Sequence, residues 1–314
     1  MTSPSSDDAN LNSTTPTSRA ISVLGRVGVW TGALDGHPTR VAQDAARHLE
    51  ALGYPSLWVP EAVGRDPFVS SANLLAATNT LALATGIANI YARDPMTTVA
   101  CRNTLAEAYP DRFVLGLGVS HRHLVTNVRK HDYSRPLAYM KAYLADMDSA
   151  MFMAAKPAHE PATVLAALGP KMLELSATAA QGAHPYFTTP EHTALARQTM
   201  GPGPALAPEQ MVVCSTDASE ARRIARAGMA VYLRAPNYLN NLMRLGFDAS
   251  DWADHNQASD RLVDAIVAWG STEQIAARVK AHHDAGADHV CIQVLRADRE
   301  LPLREWAELA PALL

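Results

Sequence analysis

The sequence predicts an α/β protein, specifically a (β/α)8 TIM barrel with an insertion between strands 7 and 8. Two observations favour this fold. Short apolar runs alternate with helical patterns from about residue 21 to the C-terminus, which is typical of repeated βα units. The length of 314 residues also suits one barrel, since such domains often reach about 250 residues or more. An open doubly wound sheet is the alternative, but the glycines near the first strand do not form the GxGxxG fingerprint that it would need.

The N-terminal segment differs in composition from the rest of the chain. Residues 1–20 are rich in Ser, Thr, Asp, Asn and Pro and hold almost no large apolar side chains. Such a segment cannot offset the entropy of ordering by burial. We therefore predict a disordered tail over 1–20 and one barrel domain over 21–314.

Eight short apolar runs are the predicted strands. They cover residues 26–30, 56–60, 81–87, 112–121, 163–168, 182–187, 210–214 and 288–295. Helices are predicted over residues 38–52, 66–77, 96–108 and 219–227, with another that starts near Lys171. Residues 215–287 separate the last two strands, so we expect one or two extra helices there, which would cover a site or build a dimer interface.

Composition and charge exclude several classes of function. The net charge is -4, so no basic field would recruit nucleic acid. No apolar run approaches the roughly 18 residues that span a bilayer, so no membrane partner is expected. The three cysteines are far apart and form no CxxC pair, which argues against disulfides and a metal site. We expect a cytoplasmic protein with a small-molecule substrate.

In a barrel of this type, the active site forms at the carboxyl ends of the strands. Polar and aromatic residues follow six of the predicted strands. They are Trp30, Glu61, the segment 89–94, Ser120, His121, His123, the segment 169–171, His184 and Tyr186. These side chains should therefore converge at one end of the barrel.

His121 and Glu61 are the candidate catalytic residues. A histidine can transfer protons near neutral pH, although a lone histidine is more often structural. A carboxylate at a strand end is likewise often only salt-bridged or solvated. The candidate walls of a substrate pocket are Trp30, Tyr91, His123 and His184. Core packing is the alternative for the aromatic residues.

Five segments carry a resemblance to a known family. They are Gly86–Pro95, Trp58–Glu61, Arg112–His121, Ala166–Met172 and Gly286–Val290. The chain resembles the bacterial-luciferase-like family from about residue 22 to its C-terminus, and within it the branch that uses the deazaflavin coenzyme F420. This resemblance implies a TIM barrel, hydride transfer and, by the habit of the family, a homodimer.

The resemblance also implies roles for individual residues. A non-prolyl cis peptide would fall at Gly86-Ile87, behind the cofactor ring, and Glu61 would lie beside the ring edge or the substrate. The segment Gly169-Pro170-Lys171 would bind the phosphate tail of the cofactor. The full set of implied cofactor-binding residues is Gly86, Ile87, Asn89, Ser120, Ala167, Leu168, Gly169, Pro170 and Lys171. An ordinary strand bulge at Gly86 and an ordinary loop-to-helix turn at Gly169 are the alternatives.

The functional hypothesis is an oxidoreductase that transfers a hydride between coenzyme F420 and an unidentified small organic substrate. Ala62 and His121 depart from the pattern of the sugar-phosphate dehydrogenases in this branch, which argues against glucose-6-phosphate oxidation. The first alternative is an FMN-dependent monooxygenase of the same fold, in which reduced flavin reacts with oxygen. The second, from another class, is a catalytically idle accessory or binding subunit.

Overall fold

The computed structural model describes residue 17 and residues 22–254, 257–298 and 300–314. The predicted disordered tail therefore lies outside the described residues, apart from residue 17. In the part of the chain that is described, no helix is long and apolar enough to cross a membrane. The same residues contain no group of three or more His, Cys, Asp or Glu side chains that could hold a metal ion.

A single sheet with parallel pairings forms the centre of the fold. Its strands are β1 (Val27–Trp30), β2 (Ser56–Val59), β3 (Ala82–Thr85), β4 (Ala88–Asn89), β5 (Phe113–Gly118), β6 (Thr163–Leu165), β7 (Gly182–Ala183), β8 (Ala205–Leu206), β9 (Glu209–Val213), β10 (Val267–Trp269) and β11 (Val290–Val294). They are ordered β10-β9-β11-β1-β2-β3-β5-β6-β7-β8, and β4 pairs with β5.

Helices connect the strands. They are α1 (Thr39–Ala51), α2 (Pro67–Leu75), α3 (Pro95–Ala108), α4 (Pro136–Asp148), α5 (Pro170–Thr178), α6 (Pro190–Met200), α7 (Ala218–Met229), α8 (Pro236–Arg244), α9 (Asp260–Ile266), α10 (Thr272–Asp284) and α11 (Leu303–Leu313). Two of them begin where an aspartate precedes a proline. The side chain of Asp66 accepts hydrogen bonds from the backbone N–H groups of Phe68 and Val69, and Asp94 caps α3 in the same way through Thr97.

Backbone hydrogen bonds connect β8, at one end of the strand order, with the residues just before β11 on the other side. The segment between β8 and β9 is only Ala207-Pro208, and Ala207 N donates to Ala183 O at 2.9 Å. On the other side, Asp288 N donates to Leu206 O at 2.9 Å, and β9 pairs with β11. The sheet therefore curls into a barrel, and the predicted TIM-barrel class is confirmed.

Several predicted strands are shorter in the structure or are divided. The third divides into β3 and β4 around Gly86-Ile87, which is a cis peptide bond as the resemblance implied. The sixth ends at Ala183, since Pro185 has no N–H to donate and Phe187 has a positive φ of 57°. The seventh begins earlier than predicted and is interrupted at Pro208. The fifth ends at Leu165 rather than Leu168.

The chain between β9 and β11 contains α7, α8, α9, β10 and α10. Strand β10 was not predicted. It pairs with the upper part of β9, where Val267 lies opposite Met211. It is the edge strand next to β9 in the strand order.

Apolar side chains fill much of the barrel interior. Trp58, Ala84, Val114, Val164, Ala207 and Cys291 point inwards and are almost fully buried. A second layer of apolar side chains lies between the sheet and the surrounding helices. Burial on both faces explains why the strands appear as continuous apolar runs. Buried polar side chains also lie in the interior near the start of the strands, where Ser56 and His289 bond the carbonyl groups of Leu24 and Gly25.

Candidate active site

The centre of the candidate site is the backbone of Gly86, just after β3. Trp30, the last residue of β1, donates from its indole Nε1 to Gly86 O at 2.9 Å. A Cβ atom on Gly86 would lie 2.6 Å from Trp30 Nε1 and 3.4 Å from His184 Nε2. Glycine is therefore required here for close approach of side chains from β1 and from the residues after β7. Trp30 and His184 were predicted as pocket walls and Gly86 as a cofactor-binding residue, and the structure brings the three close to one another.

Two glycines on β5 make room for the residue after Gly86. A Cβ on Gly118 would lie 2.5 Å from Ile87 Cδ1, and a Cβ on Gly116 would lie 1.9 Å from Thr85 O. Strand β3 and the residue Ile87 after it therefore pack closely against β5 at this level. The glycines of the Gly116-Leu117-Gly118 sequence serve packing, and this packing fixes the position of Ile87.

His184 presents a free nitrogen beside Gly86. Its Nδ1 donates to Ala207 O at 2.7 Å, and its ring stacks on Trp58 with the ring centres 4.3 Å apart. Burial lowers the pKa of His184 to about 4, so the ring is neutral at pH 7. Its Nε2 atom is buried and has no hydrogen-bond partner. An unused acceptor in the interior requires explanation, and a bound ligand would provide one.

His121 lies after β5. Its Nδ1 atom is also buried without a partner. Burial lowers the pKa of His121, and a hydrogen bond with Asn237 partly offsets this effect. The ring centre lies 5.4 Å from that of Tyr238 on α8. The preceding residue, Ser120, has a positive φ of 58°, and its carbonyl accepts a hydrogen bond from Tyr133 Oη at 3.0 Å. This turn sets the direction in which the chain leaves β5.

Tyrosines form one wall beside Trp30. Tyr186 lies with its ring centre 5.2 Å from that of Trp30, and its hydroxyl donates to Gln293 Oε1 at 2.6 Å. The hydroxyl of Tyr232 lies 2.6 Å from that of Tyr186. Burial raises the pKa of Tyr186 well above its ordinary value, so it is a neutral hydrogen-bonding group at pH 7.

Glu209 lies buried behind this wall. Phe187 N donates to its Oε2 at 3.2 Å, while Oε1 is buried without a partner. Burial raises the pKa of Glu209 to about 8. The carboxyl group is therefore mostly protonated at pH 7, which avoids an unpaired charge in the interior.

Glu61, after β2, is held by several donors. Arg93 donates to both carboxylate oxygens, at 2.7 and 2.8 Å, and Asn89 N donates to Oε2 at 2.7 Å. Arg129 lies 3.5 Å away. The Glu61 side chain is only 6% exposed. Such a carboxylate is well placed to fix the backbone at Asn89, and poorly placed to move a proton.

Another part of the candidate site lies at the N-terminus of α5. Gly169 is its N-cap, and the helix has no side-chain cap there. A Cβ on Gly169 would lie 3.5 Å from Arg244 Nη1. Just before it, Leu168 O accepts a hydrogen bond from His192 Nε2 at 2.8 Å. Uncapped N–H groups beside a guanidinium suit an anion such as phosphate.

A family model described as luciferase-like monooxygenase matches residues 18–289 of the chain. The chain belongs to the luciferase-like monooxygenase family. It is an enzyme of that superfamily, and its fold agrees with this membership.

The individual relatives of this luciferase-like protein share only low sequence identity with it. The 5,10-methylenetetrahydromethanopterin reductase of Methanolobus tindarius is 25% identical over 287 residues, which cover 78% of this chain and 87% of the relative. A solved F420-dependent secondary alcohol dehydrogenase, in complex with an F420-acetone adduct, is 14% identical. It superposes with a TM-score of 0.74 and covers 92% of this chain and 99% of its own.

A third comparison involves a flavin. The oxygenating constituent of 3,6-diketocamphane monooxygenase from Pseudomonas putida, solved in complex with FMN, is 15% identical. Its TM-score is 0.63, with 92% of this chain and 98% of the other covered. At such identities the structural likenesses establish the fold.

The luciferase-like barrel separates some residues that were predicted to share one pocket. Tyr91 is buried in a different aromatic cluster, with its ring centre 4.6 Å from that of Tyr139. His123 is exposed and its Nδ1 bonds Asn127 at 2.9 Å. Asn89 uses its Oδ1 to accept from Tyr91 N, so it stabilises the local turn. Pocket or cofactor roles for these three remain predictions.

The remaining predicted cofactor residues lie around α5. Ala167 is buried, whereas Pro170 and Lys171 are exposed. The sequence analysis assigned no role to several side chains that surround the site, namely Arg93, Arg129, Glu209, Tyr232, Tyr238, Arg244 and Gln293. Arg93 carried a usable signal, because it lies in the same segment as Asn89 and could pair with the acid after β2. The others carried none, since their partners are far away in the sequence.

Proposed function

We propose that the protein is a coenzyme-F420-dependent oxidoreductase that transfers a hydride between the deazaflavin and a small organic substrate. The observation that carries this proposal is the buried, unpartnered Nε2 of His184 beside the Gly86 backbone. A polar ligand in this position would satisfy the nitrogen, and the polar groups of a flavin-type ring are of the required kind.

The relatives favour a deazaflavin over a flavin. The neighbour bound to an F420 adduct superposes with a TM-score of 0.74, against 0.63 for the neighbour bound to FMN. The relative from Methanolobus tindarius is named as a reductase rather than an oxygenase. An FMN-dependent monooxygenase is the second candidate, which the FMN-bound neighbour supports.

The described residues fit such a cofactor at two points. The ring would lie against the Gly86-Ile87 backbone, whose Gly86 carbonyl is held by Trp30. The phosphate would lie at Gly169, Pro170 and Lys171, with Ala167 and Leu168 forming the approach. The backbone groups of Ile87, Asn89 and Ser120, which follow β3 and β5, would line the rest of the cofactor site.

When bound, the deazaflavin supplies or accepts a hydride, that is, two electrons and one proton together. The chain would provide the positioning and the separate proton. His121, whose burial favours the neutral ring, can accept a proton at Nδ1 and return it. His184 can only accept a hydrogen bond at Nε2, because Nδ1 is committed to Ala207 O. Glu61 would hold the Asn89 backbone in place rather than transfer a proton.

Cofactor titration tests the proposal. We expect coenzyme F420 to quench the tryptophan fluorescence of the protein in a saturable way, since Trp30 contacts the proposed ring position. FMN and nicotinamide nucleotides serve as competitors. Binding of FMN without any binding of F420 would overturn the proposal in favour of the monooxygenase. Binding of none of them would favour the accessory-subunit alternative.

A further inference from the structure

Aromatic side chains continue from Trp30 as one connected surface, the aromatic wall, which consists of Trp30, Tyr186, Phe187, Tyr232 and Tyr238. The ring centre of Tyr186 lies 5.2 Å from that of Trp30 and 5.1 Å from that of Tyr232. The rings of Phe187 and Tyr238 lie 5.2 and 5.4 Å from that of Tyr232. Rings this close together are in contact, so the wall has no gap that could enclose a cation. Tyr186 and Tyr232 are half-buried and the other three are buried, so these two tyrosines form most of its accessible surface.

The polar groups of the aromatic wall bond one another and carry no charge. The hydroxyl of Tyr186 donates to Gln293 Oε1 at 2.6 Å and lies 2.6 Å from the hydroxyl of Tyr232. Burial raises the pKa of Tyr186 well above its ordinary value and that of Tyr232 to about 12. Both phenols are therefore neutral at pH 7. A ligand against this wall meets hydroxyl and amide groups, but no ion.

No counter-ion stands next to the aromatic wall. Glu209, the acid beside it, is 1% exposed and has one unpartnered oxygen. Within the described part of the chain, no Lys or Arg forms an ion pair with Glu209 or a cation–π contact with the five rings. The guanidinium groups of Arg93 and Arg129 are bonded to Glu61 instead. A charged ligand group buried here would lose water without gaining a partner, which is strongly unfavourable.

We infer that the substrate is an uncharged molecule with a ring-shaped apolar body, which packs on Tyr186 and Tyr232 beside the cofactor. The inference rests on the proposed function only for the position of the substrate next to the cofactor. Aromatic side chains bind such a body by stacking and apolar contact. The hydroxyl of Tyr232 and the amide of Gln293 can share hydrogen bonds with a hydroxyl or carbonyl group on it. Carboxylates, phosphates and ammonium compounds are poor substrates by this reasoning, because the wall supplies no counter-ion.

The test uses three probes that share one ring and differ in charge, namely benzyl alcohol, benzoate and benzylammonium. Each is titrated by ligand-observed NMR into the full-length protein loaded with coenzyme F420. We expect benzyl alcohol to bind at least about tenfold more tightly than either ion. Equal or tighter binding of benzoate or of benzylammonium would overturn the inference, and so would binding of none of the three.

A variant that supplies the missing counter-ion gives a second test. Gln293→Lys places an ammonium group beside the Tyr186 hydroxyl, and should strengthen benzoate binding by roughly tenfold relative to the wild type. Gln198→Lys adds the same charge on the exposed side of α6 and should change neither probe. Tyr232→Ala, which removes part of the wall, should weaken benzyl alcohol binding by roughly tenfold. Circular dichroism checks the fold of each variant, and Tyr232→Ala decides the matter if Gln293→Lys does not fold. Unchanged affinities in every folded variant would place the probes elsewhere and overturn the inference.

The design separates the inference from the proposed function. If coenzyme F420 does not bind, the proposed function fails, and the three probes are titrated into protein loaded with FMN or left without cofactor. A preference for benzyl alcohol that depends on Tyr232 then supports the inference by itself. If F420 binds and the ions are preferred, the cofactor proposal stands and the inference fails.

Discussion

Arg93 and Glu61 form a two-pronged ion pair in which the guanidinium donates to both carboxylate oxygens, at 2.7 and 2.8 Å. The two side chains are 10% and 6% exposed. Arg93 also lies 2.8 Å from Asp66, the cap of α2. The pair therefore ties the residues after β2 to those after β4, on opposite sides of the Gly86-Ile87 bond.

Replacing Arg93 by alanine should destabilise the protein strongly. The change leaves the Glu61 charge buried and short of donors, which typically costs about 3–5 kcal/mol. Urea unfolding of Arg93→Ala measures the loss. The control is Lys280→Ala, which removes the exposed pair with Asp284 and should change the free energy of unfolding by less than about 0.5 kcal/mol. Equal stability of the two variants would contradict a structural role for the Glu61–Arg93 pair.

Gly86→Ala should disturb the centre of the site. The added Cβ would lie 2.6 Å from Trp30 Nε1, so the indole must move and its hydrogen bond to Gly86 O is lost. We expect a loss of about 1–3 kcal/mol in stability and weaker cofactor binding. Gly203→Ala is the matched control, because a Cβ there meets nothing within 4 Å. The clash is refuted if both variants unfold at the same urea concentration.

The pKa of Glu209, raised to about 8 by burial, predicts a particular dependence of stability on pH. The unfolded carboxyl ionises near its ordinary pKa of about 4.3, whereas the folded one keeps its proton up to about pH 8. The wild type should therefore lose stability relative to Glu209→Gln as the pH rises through this window, by on the order of 5 kcal/mol. Above about pH 8 the difference should become constant.

Urea unfolding of both proteins at several pH values between about 4.5 and 9 measures this difference. Glu107→Gln, an exposed change on α3, should follow the wild type throughout. If the free energy of unfolding varies with pH in the same way for the wild type and Glu209→Gln, the raised pKa of Glu209 is contradicted.

The buried neutral histidines predict that the protein loses stability as the pH falls, whereas Glu209 predicts a loss as the pH rises. Burial lowers the pKa of His184 to about 4 and that of His282 and His289 to about 3, while the unfolded rings titrate near 6.5. The stabilising effect is complete above about pH 6.5 and is lost progressively as the pH falls toward the folded values. Unfolding in this range should therefore take up about three protons from these rings.

The His282→Gln variant checks the contribution of one ring. His282 bonds Thr193 and Gln210 through its two nitrogens, and the variant should lower the proton uptake on unfolding by about one. The exposed His123→Gln change should leave the uptake nearly unaltered. An unchanged uptake in His282→Gln would show that this ring is not neutral in the folded protein.

The sequence predicted local features best where the determining interaction is itself local. Helices α2 and α3 begin where expected, because Asp66 and Asp94 cap N–H groups only two or three residues away. The apolar run at Phe113–Gly118 predicted a strand that is buried on both faces. Strand ends were less predictable. Strand β7 ends before Pro185 and Phe187, and Pro208 separates β8 from β9.

The chain by itself determined the barrel class and the polar residues at its carboxyl ends, because alternating apolar patterns and short motifs are properties of neighbouring residues. The Gly86-Ile87 position followed from the resemblance to the family. Only the tertiary structure decided what those polar residues do. Glu61 is bound by an arginine 32 positions away, and Gly169 faces Arg244 from a helix beyond β9. Such contacts depend on how strands and helices pack around one another. Because the contacting residues are far apart in the sequence, local patterns along the chain do not show that they meet.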